Sequence, residues 1–339
     1  MSAPTYDFVL PLFKVHWNTR AVLEGVSAKY QPRKIHVIAP QEQAQHLSEL
    51  ATDWDVPQLT THPEESFFQL AGLSKVQICA ELQLEKSLYQ PGWFYQQLLK
   101  LGAAEGIQSL SEWYLVWDAD LLPVNSWPIV QERNSEISYW FALLQHNQYG
   151  NNIIVDKWAT WIKKVLGVEP LIDEEGTFVP HHLWFKKEHL RSFQQRLQDY
   201  YKSTDHWTKI MMHSANEFGT FSEFWSYASW TAHHASQDLH YYPYHKYGRT
   251  TERFFDDGTG LFSAAFRKKY LLDADDGSFY PSYRQVIDFV EEVYADIPLP
   301  SSLSFESSSR HLQKGRENMH IEELRSRWTP AKITTAKVI

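Results

Sequence analysis

Two carboxylates two residues apart, Asp118 and Asp120, close a short aromatic and apolar run in the stretch SEWYLVWDADLLPV, residues 111–124. Acids placed side by side at the edge of a dry core are costly unless something shares their charge. A divalent cation is the simplest partner, because Mg2+ and Mn2+ are held by one or two carboxylates together with substrate phosphates. The run contains Tyr and Val and stops at Pro123, which predicts a buried strand rather than a helix. Acids at i and i+2 on an extended chain point to one side. Ligands of open α/β sheets bind at the carboxyl ends of strands, where this pair falls. Asp-x-Asp alone is more often a pair of solvated residues opening a loop. The strand that delivers it moves the balance toward a metal site.

Four further stretches carry residues with chemical potential. In PGWFYQQLLKLGAAEG, residues 91–106, helical spacing puts Phe94, Leu98 and Leu101 on one face and Trp93, Gln96, Gln97 and Lys100 on the other. A solvated polar face explains the second group; so does a ring-stacking, phosphate-meeting surface. His181 and His182 fall in TFVPHHLWF, residues 177–185, and on a strand they face opposite sides, so one can touch a ligand while the other packs. In TFSEFWSYASW, residues 220–230, Thr220-x-x-Glu223 matches a helix capping box, a complete structural account of Glu223. The functional account makes Glu223 a base for an attacking hydroxyl. The segment HYYPYHKYGR, residues 240–249, gathers cations and tyrosines suited to a phosphate or a third metal ligand, or to a polar surface loop.

The elements that must position these residues alternate. Strands are predicted over 6–13, 34–39 and, weakly, 56–60, with helices over 21–30 and 41–51 between them. This order implies a mostly parallel sheet covered by helices. No glycine-rich phosphate loop follows the first strand, so a nucleotide has to be held by a metal and side chains. Helices are also expected over 70–88, 157–166, 186–201 and 282–295, and a strand over 137–144. From about Pro298 the chain turns Ser-rich and then charged, and reads as a loosely attached tail without a fold of its own. The expected organisation is one domain over 1–297, split into a nucleotide-binding half (1–125) and an acceptor-binding half (126–297), with an extension over 298–339.

Composition narrows the partners. Net charge is −9 with no basic block, which argues against nucleic acid. No stretch approaches the roughly 20 apolar residues of a membrane span. The N-terminal residues lack the pattern of a signal peptide, and one cysteine, Cys79, allows no internal disulfide. A cytoplasmic setting is the expectation. The 14 Trp, 18 Tyr and 19 Phe suit sugar or base stacking and equally suit a core.

Taken in order, PGWFYQQLLKL, SEWYLVWDADLLPV, FVPHHLWFKKEHL and FSEFWSYASW resemble an uncharacterised family of the GT-A nucleotide-sugar transferase superfamily, over roughly residues 5–245. The resemblance implies a GT-A-like three-layer α/β/α fold. It also implies transfer of a sugar from a nucleotide-diphosphate donor, UDP-sugar first by frequency, to a glycan or small-molecule hydroxyl. By the same resemblance Asp118 and Asp120 hold Mn2+ or Mg2+ on the donor diphosphate, and Glu223 is the base of an inverting reaction. His245, or else His240, adds a metal ligand; Trp93 or Trp117 stacks on a ring; Lys100 meets phosphate. Two rivals stand beside this reading: a haloacid-dehalogenase-type phosphatase, whose motif has Thr or Val where this chain has Leu122, and a non-catalytic carbohydrate- or nucleotide-binding protein on the same scaffold.

Overall fold

The computed structural model describes residues 5–82, 91–126, 129–133, 136–142, 153–173, 176–177, 181–238, 240–242, 251–254, 256–270, 272, 279–295 and 298–305. The first strands and helices are β1 (Asp7–Pro11), α1 (Thr19–Tyr30), β2 (Lys34–Ala39), α2 (Gln41–Leu50), β3 (Leu59–Pro63), α3 (Lys75–Glu81) and α4 (Pro91–Gly106). Then come β4 (Trp113–Trp117), β5 (Leu121–Pro123), β6 (Val130–Arg133), β7 (Glu136–Ala142), α5 (Ile153–Trp161), β8 (Ile172–Asp173) and β9 (Gly176–Thr177). The remainder are β10 (His182–Lys186), α6 (Lys187–Tyr201), α7 (Trp207–Phe218), α8 (Glu223–His234), β11 (His240–Tyr242), β12 (Thr251–Phe254), α9 (Asp256–Lys269), α10 (Tyr283–Val293) and β13 (Ser302–Phe305). They group into two compact units: residues 1–15, 32–119 and 127–248, and residues 16–31, 120–126 and 249–339.

The first unit is built on a five-stranded sheet in the order β10-β4-β1-β2-β3. The four strands β4, β1, β2 and β3 run parallel, and β10 lies antiparallel against β4. This is the α/β class with a mostly parallel sheet that the alternation of elements predicts. Every residue of β1 is buried, as are all but the first of β2 and β4, the near-continuous apolar run of strands covered on both faces. The edge strand β3 is only half-buried and begins three residues later than its predicted start; Val56, expected to open it, is buried ahead of the strand. Between β1 and β2 the chain order runs one way across the sheet, and from β1 to β4 it runs the other. The switch point therefore lies between the carboxyl ends of β1 and β4.

Helix boundaries differ from expectation where the backbone has a specific reason. The predicted helix over 70–88 is interrupted at Gly72, whose φ of 65° closes a 3-10 turn before α3 starts behind a Ser74 capping box. The helix predicted over 157–166 begins earlier, at Ile153, and ends in a π-turn, Ile162–Leu166, stopped by Gly167 at φ 73°.

The second unit holds a three-stranded sheet in the order β12-β13-β5. Its central strand, β13, lies in the segment that composition assigned to a loose tail. That assignment is corrected for residues 302–305: Leu303 and Phe305 are 0% and 2% exposed, and the strand pairs on both sides. Ser-rich flanks hid four residues of alternating, buried strand. Phe305 and Phe262 pack around Trp17, with ring centroids 5.2 and 5.9 Å away. Helix α1 lies against β5 and α10. Its Glu24 accepts from Arg20 Nε and from the backbone N–H of Tyr283, each at 2.7 Å. Among the described residues no helix is long and apolar enough to cross a membrane.

Candidate metal centre

Strand β4 ends at Trp117, and Asp118 leaves it held from two sides. Its backbone N–H donates to the His181 carbonyl at 2.9 Å, and its carboxylate meets Lys100 Nζ through Oδ1 at 2.8 Å and His181 Nδ1 through Oδ2 at 3.2 Å. The antiparallel pairing of β10 with β4, His182 opposite Trp117, is what brings His181 to the acid. Asp120 stands two residues further along the same turn, so the chain itself fixes its distance. One ligand atom from each of Asp118, Asp120 and His181 lies within 4.8 Å of the others. Two carboxylates and an imidazole suit a borderline-to-hard divalent cation such as Mn2+ or Mg2+.

Lys100 comes from α4, whose Phe94, Leu98 and Leu101 are fully buried as the helical wheel requires. Two residues of its other face are withdrawn from solvent: Gln97 and Lys100 are 2% and 5% exposed. Lys100 Nζ also donates to Glu223 Oε1 at 2.7 Å and stands 4.2 Å from the Phe224 ring centroid. Burial alone lowers the Lys100 pKa, but the charges of Asp118 and Glu223 outweigh it and hold the ammonium well above its ordinary value. Burial likewise raises Asp118, and the Lys100 charge with the His181 contact overcomes it, keeping the carboxyl well below the usual range.

Glu223 is the first residue of α8, where a negative charge is favourable. The expected Thr220 capping box is absent. Ser222 caps the helix by accepting from the Trp225 N–H, while Thr220 Oγ1 accepts from Trp158 Nε1 at 2.8 Å. The helix starts two positions later than the box requires, with Ser222 as its cap, and Gln97 Oε1 takes the Glu223 N–H at 2.9 Å. Gln97 Nε2 is buried with no hydrogen-bond partner among the described residues.

The structure thus gathers Gln97, Lys100, Asp118, His181 and Glu223, with Asp120 beside them along the chain. Trp93 and Gln96, both half-buried on α4, do not join the ion pairs. Trp117 is corrected as a stacking platform: it is 0% exposed, packed between Phe8 and His182, whose ring centroids lie 5.7 and 5.0 Å away. His182 is a packed residue too, its pKa pushed down to about 3 by burial and by His181. His245 lies outside the described residues, and of His240 only the strand position in β11 is described. An aromatic that the sequence reading passed over is Phe13, just past the carboxyl end of β1. It is 71% exposed, and Lys75 Nζ lies 5.4 Å from its ring centroid. Its place at the tail of an apolar run made it look like strand interior.

An α/β chain with acids at the carboxyl end of a strand beside the sheet's switch point belongs to a broad class of ligand-binding folds. More specifically, a family model matches residues 21–260, and the chain belongs to that family, a family of unknown function (DUF6492). No curated protein matches the sequence. Among solved structures the chain is similar to an active-site mutant of LgtC, at 12% identity, 94% of each chain covered and a TM-score of 0.43. It is also similar to mouse xyloside xylosyltransferase 1 in its apo form, at 9% identity over 74% of this chain and 88% of that one, with a TM-score of 0.38. A third likeness, to 4-diphosphocytidyl-2C-methyl-D-erythritol synthase from Anaerococcus prevotii DSM 20548, has 8% identity, coverage of 63% and 95%, and a TM-score of 0.27. Likenesses at this level say nothing of chemistry.

Proposed function

We propose that this chain is a metal-dependent glycosyltransferase acting on a nucleotide-diphosphate sugar, with UDP as the first nucleotide to test. The observation that carries the reading is the Asp118, Asp120 and His181 donor set at the carboxyl end of β4. Bound there, Mn2+ or Mg2+ would neutralise the charge that develops on a departing diphosphate. The chain's own residues do the rest. Asp118 and Asp120 hold the cation, and His181 completes the set. Phe13 offers an exposed ring for stacking at the switch point, the part expected of Trp93 or Trp117. The buried Gln97 Nε2 is a donor whose desolvation, about 1–3 kcal/mol when unmet, an acceptor oxygen on the ligand would offset.

Glu223 enters this proposal as the partner of Lys100 rather than as the base. Its carboxylate is buried and holds an ammonium, which leaves it ill-placed to take a proton from an acceptor. With Glu223 committed to Lys100, the proposal assigns no base and no inverting outcome. A thermal-shift titration of UDP tests the reading: the melting temperature should rise with UDP only when Mn2+ is present, and Asp120→Ala should abolish the rise. An equal rise without metal, or in the variant, would sink the metal-bridged site.

A further inference from the structure

A lysine that is 5% exposed is costly to keep charged unless its ammonium is matched. Lys100 is matched twice, by Asp118 and by Glu223, residues 18 and 123 positions away in the chain. Packing of α4 against β1 and α8 makes this arrangement. Gln97, one turn before Lys100, holds the start of α8 by accepting the Glu223 N–H. Asp118 is therefore divided: Oδ1 belongs to the lysine, while Oδ2 turns toward His181 and the donor set. A positive charge bound to one oxygen of a metal ligand draws on the same negative charge that attracts the metal.

Resting on the metal site proposed above, we infer that Lys100 is the site's resident counter-cation, which holds metal affinity down and keeps the ion exchangeable, and that Glu223 is the positioning residue that seats it. Over Asp118, Lys100 and Glu223 the formal charge is −1. Lys100→Met makes it −2, Glu223→Gln makes it 0, and the double variant returns it to −1. If charge sets affinity, the metal should follow that order and not the extent of structural damage.

The test is an EPR titration of free Mn2+, without nucleotide, against the full chain and these variants, with Asp118→Asn as control. Lys100→Met should bind Mn2+ about tenfold tighter and Glu223→Gln about tenfold weaker. The double variant should come within about threefold of wild type. A purely structural role would weaken all three, with no recovery in the double variant, and would overturn the inference. So would a Lys100→Met that binds no tighter than wild type while folded by circular dichroism. Should Lys100→Met not fold, the double variant must still bind more tightly than Glu223→Gln. Mn2+ binding that Asp118→Asn removes but that ignores the charge order overturns the role of Lys100 alone. Wild type with no such binding overturns the metal site and the inference together.

Discussion

At the scale of single residues, the first unit keeps a second polar network, across three neighbouring strands. Asp7 on β1 receives Arg33 on both carboxylate oxygens and the Ser111 N–H at 2.7 Å. His36 on β2 places Nε2 3.5 Å from Asp7 and Nδ1 2.9 Å from His62 Nε2 on β3. Burial and the charge of His36 push His62 down to about 4. Burial raises Asp7, but His36, Arg33 and Ser111 outweigh it and hold its carboxyl below the ordinary range. In both cases the unfolded chain binds more protons than the folded one, so stability rises with pH. The His62 contribution is complete above about pH 6.5 and is lost as pH falls toward 4. That of Asp7 is complete above about pH 4 and is lost below it. Urea unfolding at pH 7, 5.5 and 4.5 should show a steady loss of stability, and His62→Gln should flatten it by on the order of 2 kcal/mol. An unchanged pH slope in the variant would show that His62 does not titrate as placed. None of this network was legible in the sequence, where Asp7 and His36 sit inside short strand runs and read as interior. The acids at 118 and 120 were legible because charge at the end of an apolar run is conspicuous. The Lys100–Glu223 pair was not, since nothing local ties residues 123 positions apart.

At the scale of elements, periodicity located β2 to the residue and most helices to within a few positions. It failed where one residue decides: Gly72 and Gly167 in left-handed turns, and the start of α8 capped by Ser222 rather than by Thr220. Helix α1 carries a further constraint that local pattern hides. A Cβ on Gly25 would stand 2.8 Å from the Tyr283 ring and 3.0 Å from Pro123. Tyr283 is tied through its N–H to Glu24 and through its hydroxyl to the Val124 carbonyl, so the ring has little room to yield. Alanine gains about 1 kcal/mol of helix propensity over glycine. Overpacking costs about 1–3 kcal/mol. Gly25→Ala should therefore destabilise the protein by about 1 kcal/mol net in chemical denaturation; a stabilised variant would mean that α1 and α10 shift apart freely.

At the scale of the whole molecule, the alternation of elements revealed the α/β class, while the make-up of the second unit stayed hidden. That unit collects its strands and helices from three separate parts of the chain. Composition over the last forty residues pointed to a tail because four strand residues cannot outweigh so much Ser and charge. The placement of Phe305 beside Trp17 and Phe262 makes a quantitative claim. Phe305→Ala should cost about 3–5 kcal/mol, the toll of a core aromatic, whereas a residue of a true tail would cost almost nothing. Calorimetry of that single variant separates the two. The same threading has a consequence for biosynthesis. The buried apolar residues of α1, Ala21, Val22 and Leu23 among them, emerge from the ribosome roughly 270 residues ahead of β13. At 5–20 residues per second that is a wait of about 15–55 s before its sheet can close. Through that interval the nascent polypeptide displays a greasy helix whose α10 neighbour is not yet made, an invitation to chaperone holdases and an aggregation hazard without them.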